Sequence, residues 1–170
     1  YIAIPVVSSQ NRRYIPMELL HKDVIAGNKL FMMPEGSLYY FGILTSNVHM
    51  AWMRTVTGRL KSDYSYSNTI VYNNFPWPLS TNQQRLKIEQ TAQSILDARS
   101  LYPDNSLADL YNPVLMPLEL RKAHIANDKA VMAAYGFSLK MSEEDCVAEL
   151  MKLYQKKLQE EKKMKSDKKS

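Results

Sequence analysis

Two prolines within three residues, Pro76 and Pro78, divide this 170-residue chain into two regions with different sequence patterns. Proline lacks a backbone N–H and collides with the preceding helical turn, so no regular helix runs through this point. Short β-branched runs and one helical period precede the prolines, whereas helical periodicity follows them. The sequence therefore predicts an α+β protein with three parts: a partial mixed β domain with an inserted helix over residues 1–79, a small C-terminal α-helical bundle over residues 80–160, and a frayed, lysine-rich tail over residues 161–170.

The first region contains candidate strands and one candidate helix. Apolar runs bounded by turn-forming residues predict strands over Ile2–Val7 and Lys29–Met33. Over Leu38–Thr57, large apolar side chains recur every three or four residues, which is the period of a helix face, and Gly58 is expected to cap this helix. The β-branched run Thr69–Tyr72 predicts another short strand.

In the second region, each helix is predicted from a capping residue or a proline that precedes apolar periodicity. The first helix is expected to start at Ser80 or Thr81 and to bury Ile88, Ala92, Ile95 and Leu96. Ser106 is expected to precede a short helix over Leu107–Tyr111, and Pro117 to start a helix that ends at Tyr135 before Gly136. Ser142 is expected to start the last helix.

The net charge of +5 is distributed unevenly along the chain. Residues 1–80 have a net charge of +3, residues 81–150 of −3, and residues 151–170 of +5. A Lys/Glu run without aromatic residues is usually a solvated helix end, so the tail is weak support for nucleic-acid binding. The negative balance of residues 81–150 argues against a large independent phosphate footprint there. The charge of the first region is more informative, because aromatic and short polar residues accompany it.

Several functional classes receive no support from the sequence. No run of 18 apolar residues is present, and the single cysteine, Cys146, excludes a disulfide framework and a cysteine-clustered zinc site. No glycine-rich phosphate loop occurs, and the three histidines lack the spacing of a metal site. Acidic neighbours should raise the pKa of the Cys146 thiol and disfavour a nucleophile, and His124 is expected to be a hydrogen-bonded structural residue.

The run Arg59–Tyr66 is the best candidate for specific chemistry. In an extended chain, side chains alternate, and one face is expected to carry Arg59, Lys61, Asp63 and Ser65. A lysine can donate to guanine O6 and N7 while an aspartate accepts from cytosine N4, so the two can read one G·C pair. Phosphates repel a carboxylate, so a DNA site would keep one only to read bases. The alternative is an exposed ion pair that contributes well under about 1 kcal/mol.

The polar loop Ser8–Tyr14 is a second candidate. It combines hydroxyls, amides and two guanidinium groups, which suit contacts to phosphates that set the register of a protein on DNA. The alternative is an ordinary polar turn between strands.

Seven stretches resemble one known family. In the first region they are similar to the target-recognition domain of MmeI-like enzymes, which are single-chain restriction–modification proteins of type IIL that include an N6-adenine methyltransferase. In the second region they resemble the helical C-terminal domain of the same family. The stretches are Val7–Pro16, Leu38–Ser46, His49–Arg54, Gly58–Tyr64 and Tyr72–Pro78, followed by Leu107–Pro113 and Pro117–His124.

This resemblance implies that the partner is double-stranded DNA and that the chain is a C-terminal piece of a bacterial, cytoplasmic enzyme. The chain begins with Tyr1 in an expected strand, which also suggests a piece of a longer protein. The family implies an upstream methyltransferase domain that binds S-adenosylmethionine and carries an Asn-Pro-Pro-Tyr/Phe motif. Many members also carry an N-terminal nuclease. In this segment, therefore, neither a cofactor, nor a metal, nor a catalytic residue is expected.

The resemblance also implies roles for individual residues. Lys61 and Asp63 match a specificity pair for one base pair, in which Lys/Asp goes with guanine and Glu/Arg with cytosine. Lys29 and Ser65 match a second base-reading pair. The residues expected to contact the DNA backbone are Ser9, Asn11, Arg12, Arg13 and Arg59.

One alternative function remains open on the sequence. The helices could form a protein-interaction module that assembles a larger complex, with the basic loop incidental and no direct base reading. The Asn-Pro-Pro-Tyr/Phe motif upstream of Tyr1 in the parent protein would favour the DNA-reading function, and its absence would favour assembly.

Overall fold

The computed structural model describes residues 1–24, 27, 29–34 and 36–167, and it confirms the α+β fold class. The strands are β1 (Ile2–Pro5), β2 (Val7–Ser8), β3 (Glu18–Leu19), β4 (Leu30–Met33), β5 (Gly58–Leu60) and β6 (Asp63–Ser65). The helices are α1 (Leu38–Leu44), α2 (Asn47–Val56), α3 (Asn82–Ser100), α4 (Leu107–Leu110), α5 (Leu118–Tyr135) and α6 (Glu143–Asp167), with a π-helical turn at Asn68–Tyr72.

The strands form two small antiparallel sheets, with orders β3–β1–β4 and β2–β6–β5. The predicted strand over residues 2–7 is thus divided between both sheets. Val6, between β1 and β2, links them: its N–H donates to the Lys29 carbonyl (3.1 Å) and its carbonyl accepts from the Tyr66 N–H (2.8 Å).

The helical period over residues 38–57 corresponds to two helices. Helix α1 ends because the Thr45 and Ser46 hydroxyls donate to carbonyls of its last turn, and the Ser46 oxygen then accepts from the His49 N–H to cap α2. The prediction that Gly58 caps this helix is wrong. Thr57 is already extended, and Gly58 begins β5 opposite Ser65.

The predicted strand Thr69–Tyr72 is also wrong, because these residues lie in the π-helical turn. The Ser67 side chain accepts from the Ile70 N–H (3.2 Å), and the Trp52 indole N–H donates to the Val71 carbonyl (3.0 Å). Capping and a tertiary contact therefore override the local β preference.

The helix starts of the second region agree with the prediction. Thr81 rather than Ser80 caps α3, in a reciprocal pair with Gln84, and Ser106 forms the same arrangement with Asp109 before α4. Gly136 ends α5 in the left-handed conformation, at φ 70°. Helix α6 extends to Asp167 and so includes residues 161–167 of the predicted tail, and residues 168–170 lie outside the described residues.

The two regions pack tightly where α1 meets α3 and α5. A Cβ added at Gly42 would lie 2.6 Å from Ile88 Cγ2, so only glycine allows this approach. The Asn127 amide donates to the Gly42 carbonyl (2.7 Å), and its oxygen accepts from the Thr91 hydroxyl (3.0 Å). The helices therefore share one core across the two prolines.

Among the described residues, no helix combines the length and the apolar character needed to span a bilayer.

Candidate nucleic-acid interface

Strands β5 and β6 form a tight hairpin with Lys61 and Ser62 as its two-residue turn, since Leu60 lies opposite Asp63. The prediction of a continuous extended run through residues 59–66 is therefore wrong. Lys61 has a φ of 56°, and it is the only non-glycine residue in the described part of the chain with a positive φ. The favoured two-residue hairpin turns have a positive φ at their first turn residue, because this backbone conformation matches the twist of the flanking strands.

The pairing of β6 determines which side chains share a face. Residues directly opposite one another in a sheet point to the same side, and neighbours in a strand alternate. Asp63 and Ser65 therefore lie on one face with Leu60 and Val7, and these two apolar residues are 57% and 40% exposed. Tyr64 points to the opposite, buried face. The expectation that Asp63 and Ser65 share a face agrees with this pairing.

Lys61 and Arg59 do not follow the expected alternation. Lys61 is exposed at the tip of the hairpin rather than in a strand. Arg59 lies opposite Tyr64 in the register, and its side chain lies outside the described atoms. Within the described part of the chain, Lys61 and Asp63 form no ion pair with each other, so the alternative of a surface ion pair is not the arrangement observed.

Lys29 and Ser65 flank the same stretch of chain from opposite sides. The Lys29 carbonyl bonds Val6, whereas Ser65 lies opposite Val7 in the other sheet. Two strand spacings separate their backbones, which amounts to about 10 Å. The fold therefore brings together two residues that are far apart in sequence and that form the second predicted base-reading pair.

The arginine loop, Ser9–Arg13, leaves the end of β2 beside β6. The Ser9 oxygen accepts from the Asn11 N–H (3.3 Å), and the Ser9 carbonyl accepts from the Arg12 N–H (3.1 Å), which folds the loop into a tight turn. The Arg13 side chain is 64% exposed. Because Ser8 lies opposite Tyr64, the loop emerges at the same end of the sheet as the hairpin tip.

Side chains of the helices hold the chain that follows this loop. The Tyr14 hydroxyl donates to Asp128 Oδ2 (2.6 Å), and the Tyr14 ring stacks on His124 at 4.1 Å. Arg54 donates from Nη2 to the Arg13 carbonyl (2.7 Å) and from Nη1 to Glu143 (3.0 Å). The arginine loop is thus attached to both α5 and the start of α6.

The titratable side chains of α5 that contact Tyr14, next to the arginine loop, are buried. Burial raises the pKa of Asp128, whereas hydrogen bonds from the Tyr14 hydroxyl and the Asn47 N–H oppose this shift. Burial lowers the pKa of His124 to about 3. Arg99 donates to the Tyr111 hydroxyl, and that hydroxyl forms a hydrogen bond with His124 Nε2 (2.7 Å). His124 is therefore the hydrogen-bonded structural residue that the sequence predicts.

Two further kinds of reactive site that a sequence can indicate are a cysteine nucleophile and a metal site. Burial first, and Glu143 second, raise the pKa of the Cys146 thiol to about 11, in the direction predicted. The described residues contain no cluster of three or more His, Cys, Asp or Glu side chains that could hold a metal ion.

Sequence reasoning missed the residues that support the loop. Asp128 lies four residues after His124, and this spacing indicates that the two side chains share one face of the helix. The Arg54–Glu143 pair spans 89 residues of sequence, so no local pattern could have predicted it.

Comparisons with known proteins assign a class to this arrangement. The family model described as the MmeI target recognition domain matches residues 1–79, and the model described as the MmeI C-terminal domain matches residues 80–161. The class is therefore a target-recognition domain joined to a helical C-terminal domain. Together the two models match residues 1–161, so the chain belongs to the MmeI family.

Two relatives agree with this assignment. DNA methyltransferase A of Bacillus subtilis (strain 168) is 43% identical over 154 residues, which cover 91% of this chain and 17% of that protein. The solved structure of the type IIL restriction-modification enzyme MmeI in complex with DNA superposes with a TM-score of 0.87 at 46% identity, covering 91% of this chain and 21% of that chain. The chain thus spans about a fifth of the length of the relatives it matches.

Proposed function

We propose that this segment reads base sequence in double-stranded DNA and positions an upstream, S-adenosylmethionine-dependent adenine-N6 methyltransferase domain on its target site. The observation that carries the proposal is the hairpin. Lys61 occupies its tip, and Asp63 and Ser65 occupy its exposed face. The relative whose structure superposes on the chain was solved in complex with DNA.

The shape of the hairpin supports major-groove reading. The major groove of B-DNA admits a two-stranded β-ribbon, and the groove edge of a G·C pair offers two guanine acceptors and one cytosine donor. A lysine ammonium and an aspartate carboxylate match these groups. Lys61 and Asp63 are two residues apart at a tight turn, so both can address one base pair, with about 1–3 kcal/mol of discrimination against a wrong base.

Neighbouring residues support the same orientation. Lys29 lies across Val6 and Val7 from Ser65, where the pair can address a second base pair. The arginine loop lies at the same end of the sheet, and its one hydroxyl, two amides and two guanidinium groups suit contacts to DNA phosphates. We assign Arg59 to the phosphate contacts on the resemblance alone.

We assign methyl transfer, with flipping of the target adenine, to the upstream domain of the parent protein, because the family resemblance places the S-adenosylmethionine site there.

Methylation sequencing of cellular DNA tests the proposal. Cells express the full-length parent protein, either wild type or Lys61→Glu/Asp63→Arg, and methylated adenines are mapped to their sequence motif. We expect one fixed motif for the wild type, and the same motif with a single G changed to C for the double variant. The matched control, Glu149→Arg/Lys152→Glu, makes the same charge exchange on exposed α6 and should leave the motif unchanged.

Each other outcome is informative. If both the wild type and the Lys61/Asp63 variant mark one motif, base reading lies elsewhere in the protein. If a folded parent marks no adenine, the methyltransferase assignment fails, and the helical assembly function becomes the better explanation.

A further inference from the structure

The geometry points to Asp128 on α5 as a positioning residue for the arginine loop. This inference rests on the proposed function, since it assumes that Arg13 contacts a DNA phosphate. It gives the helical region a role in DNA recognition, although none of the predicted DNA contacts lies in it.

The Asp128 carboxylate has one defined orientation. Its Oδ2 accepts from the Tyr14 hydroxyl (2.6 Å), and its Oδ1 accepts from the backbone N–H of Asn47 (2.8 Å), in the first turn of α2. Asp128 is only 5% exposed. Hydrogen bonds to a charged acceptor are roughly twice as strong as neutral ones, so the carboxylate fixes the residue that directly follows the arginine loop.

Two further bonds hold the backbone on either side of Tyr14. Arg54 donates to the Arg13 carbonyl (2.7 Å), and Arg99 donates to the Met17 carbonyl (2.9 Å). The Arg13 guanidinium lies 4.0 Å from Asp128 and is 64% exposed. Its backbone is therefore immobilised while its charged end stays available to a phosphate, which is the arrangement of a preset contact.

Positioning and simple charge predict opposite effects of Asp128→Asn. Removing a negative charge near DNA reduces repulsion by phosphates, which strengthens binding. In the positioning account, the substitution weakens binding, because asparagine has a single acceptor oxygen and cannot accept from both the Tyr14 hydroxyl and the Asn47 N–H. The loop then loses its fixed conformation. The sign of the change separates the two accounts.

The test uses the full-length parent protein and fluorescence anisotropy with two duplexes, one with its methylation motif and one without. Titrations cover about 50 to 200 mM salt, where the loss of a phosphate contact is visible in the slope. The variants are Asp128→Asn, Arg13→Ala and the double variant. Asp104→Asn, at an exposed turn after α3, is the control for charge.

We expect Asp128→Asn to weaken binding about three- to tenfold and to lower the salt slope by about one, as Arg13→Ala does. The double variant should be no weaker than Arg13→Ala alone, and the control should match the wild type. Binding by Asp128→Asn that is equal to or tighter than wild type, with an unchanged slope, would overturn the inference.

A second variant covers the case in which Asp128→Asn does not fold. Tyr14→Phe keeps the ring that stacks on His124 and removes only the hydroxyl that Asp128 holds. A smaller fall in the salt slope supports the inference, and an unchanged slope contradicts it. If the wild type does not distinguish the two duplexes, the proposed function itself fails. If it does distinguish them and the variants behave as wild type, only the role of Asp128 fails.

Discussion

The two regions of the chain differ in their secondary structure and in the contacts that stabilise them. Residues 1–79 contain strands of only two to four residues, and the exposed hairpin and loop carry the predicted DNA contacts. Residues 80–161 consist of helices, and they supply the buried Asp128 and His124 that hold the arginine loop. Short strands and polar loops stabilise themselves poorly, so the arginine loop depends on these contacts for a defined conformation.

The largest expected effect comes from Trp52 of α2, which joins the two regions. The centres of the Trp52 and Tyr154 rings lie 5.8 Å apart, and Tyr154 belongs to α6. The Trp52 indole N–H donates to the Val71 carbonyl. We expect Trp52→Ala to lower the free energy of unfolding by about 3–5 kcal/mol in one cooperative urea transition. Leu79→Ala, at a residue that is 98% exposed, should change it by less than about 0.5 kcal/mol. A separate, unaffected transition for the helical region would contradict the shared core.

The dependence of stability on pH tests one buried histidine from each region. Burial lowers the pKa of both His49 and His124 to about 3, below the ordinary value of 6.5. The unfolded chain then binds more protons below pH 6.5, so stability falls as pH decreases from 6.5 towards 3. Each histidine contributes up to about 1.4 kcal/mol per pH unit, while the raised pKa of Asp128 acts in the opposite direction.

Glutamine substitutions separate the two histidines. His49→Gln or His124→Gln should each remove about half of the pH slope between pH 4 and 6, measured by urea denaturation at each pH. A slope that neither substitution changes would show that other groups control the acid sensitivity.

The two glycines Gly42 and Gly58 test the contact between the regions. Alanine normally favours a helix by about 1 kcal/mol over glycine, but at Gly42 the added methyl group collides with Ile88. We expect Gly42→Ala to destabilise the chain by about 1–3 kcal/mol. Gly58→Ala is the matched control, since nothing lies within 4 Å of an added Cβ there. Equal effects of the two substitutions on the urea midpoint would contradict the close packing of α1 on α3.

The smallest expected effect lies in the hairpin turn. Lys61 adopts a φ of 56°, which costs an ordinary side chain about 1 kcal/mol and an asparagine less. Lys61→Asn should therefore raise the free energy of unfolding by up to about 1 kcal/mol while removing the ammonium group that reads guanine. A variant that loses stability but keeps the wild-type methylation motif would contradict both statements.

The helical region could be predicted well because its signals are local. Thr81 and Ser106 each precede an acceptor side chain at the third helical position, and Gly136 follows the last turn of α5. These signals need no knowledge of distant residues.

The recognition region could be predicted only in part. Two-residue turns are usually predicted from pairs that contain glycine or asparagine, and Lys61-Ser62 is not such a pair. The sequence therefore indicates the candidate residues but does not predict the hairpin that carries them. Thr69–Tyr72 has strand-forming residues, yet the Trp52 bond and the Ser67 cap hold it in a π-helical turn. The supports of the arginine loop are contacts between distant segments, which no local pattern contains.

The central claim is that Lys61 and Asp63 read one base pair. A crystal structure of the full-length parent protein on a duplex with its methylation motif tests it most directly. We predict the hairpin in the major groove, with the Lys61 ammonium and the Asp63 carboxylate about 2.7–3.2 Å from acceptors of one guanine and the amino group of its paired cytosine. A hairpin outside the groove, or contacts of these side chains to phosphates or solvent alone, would contradict the claim.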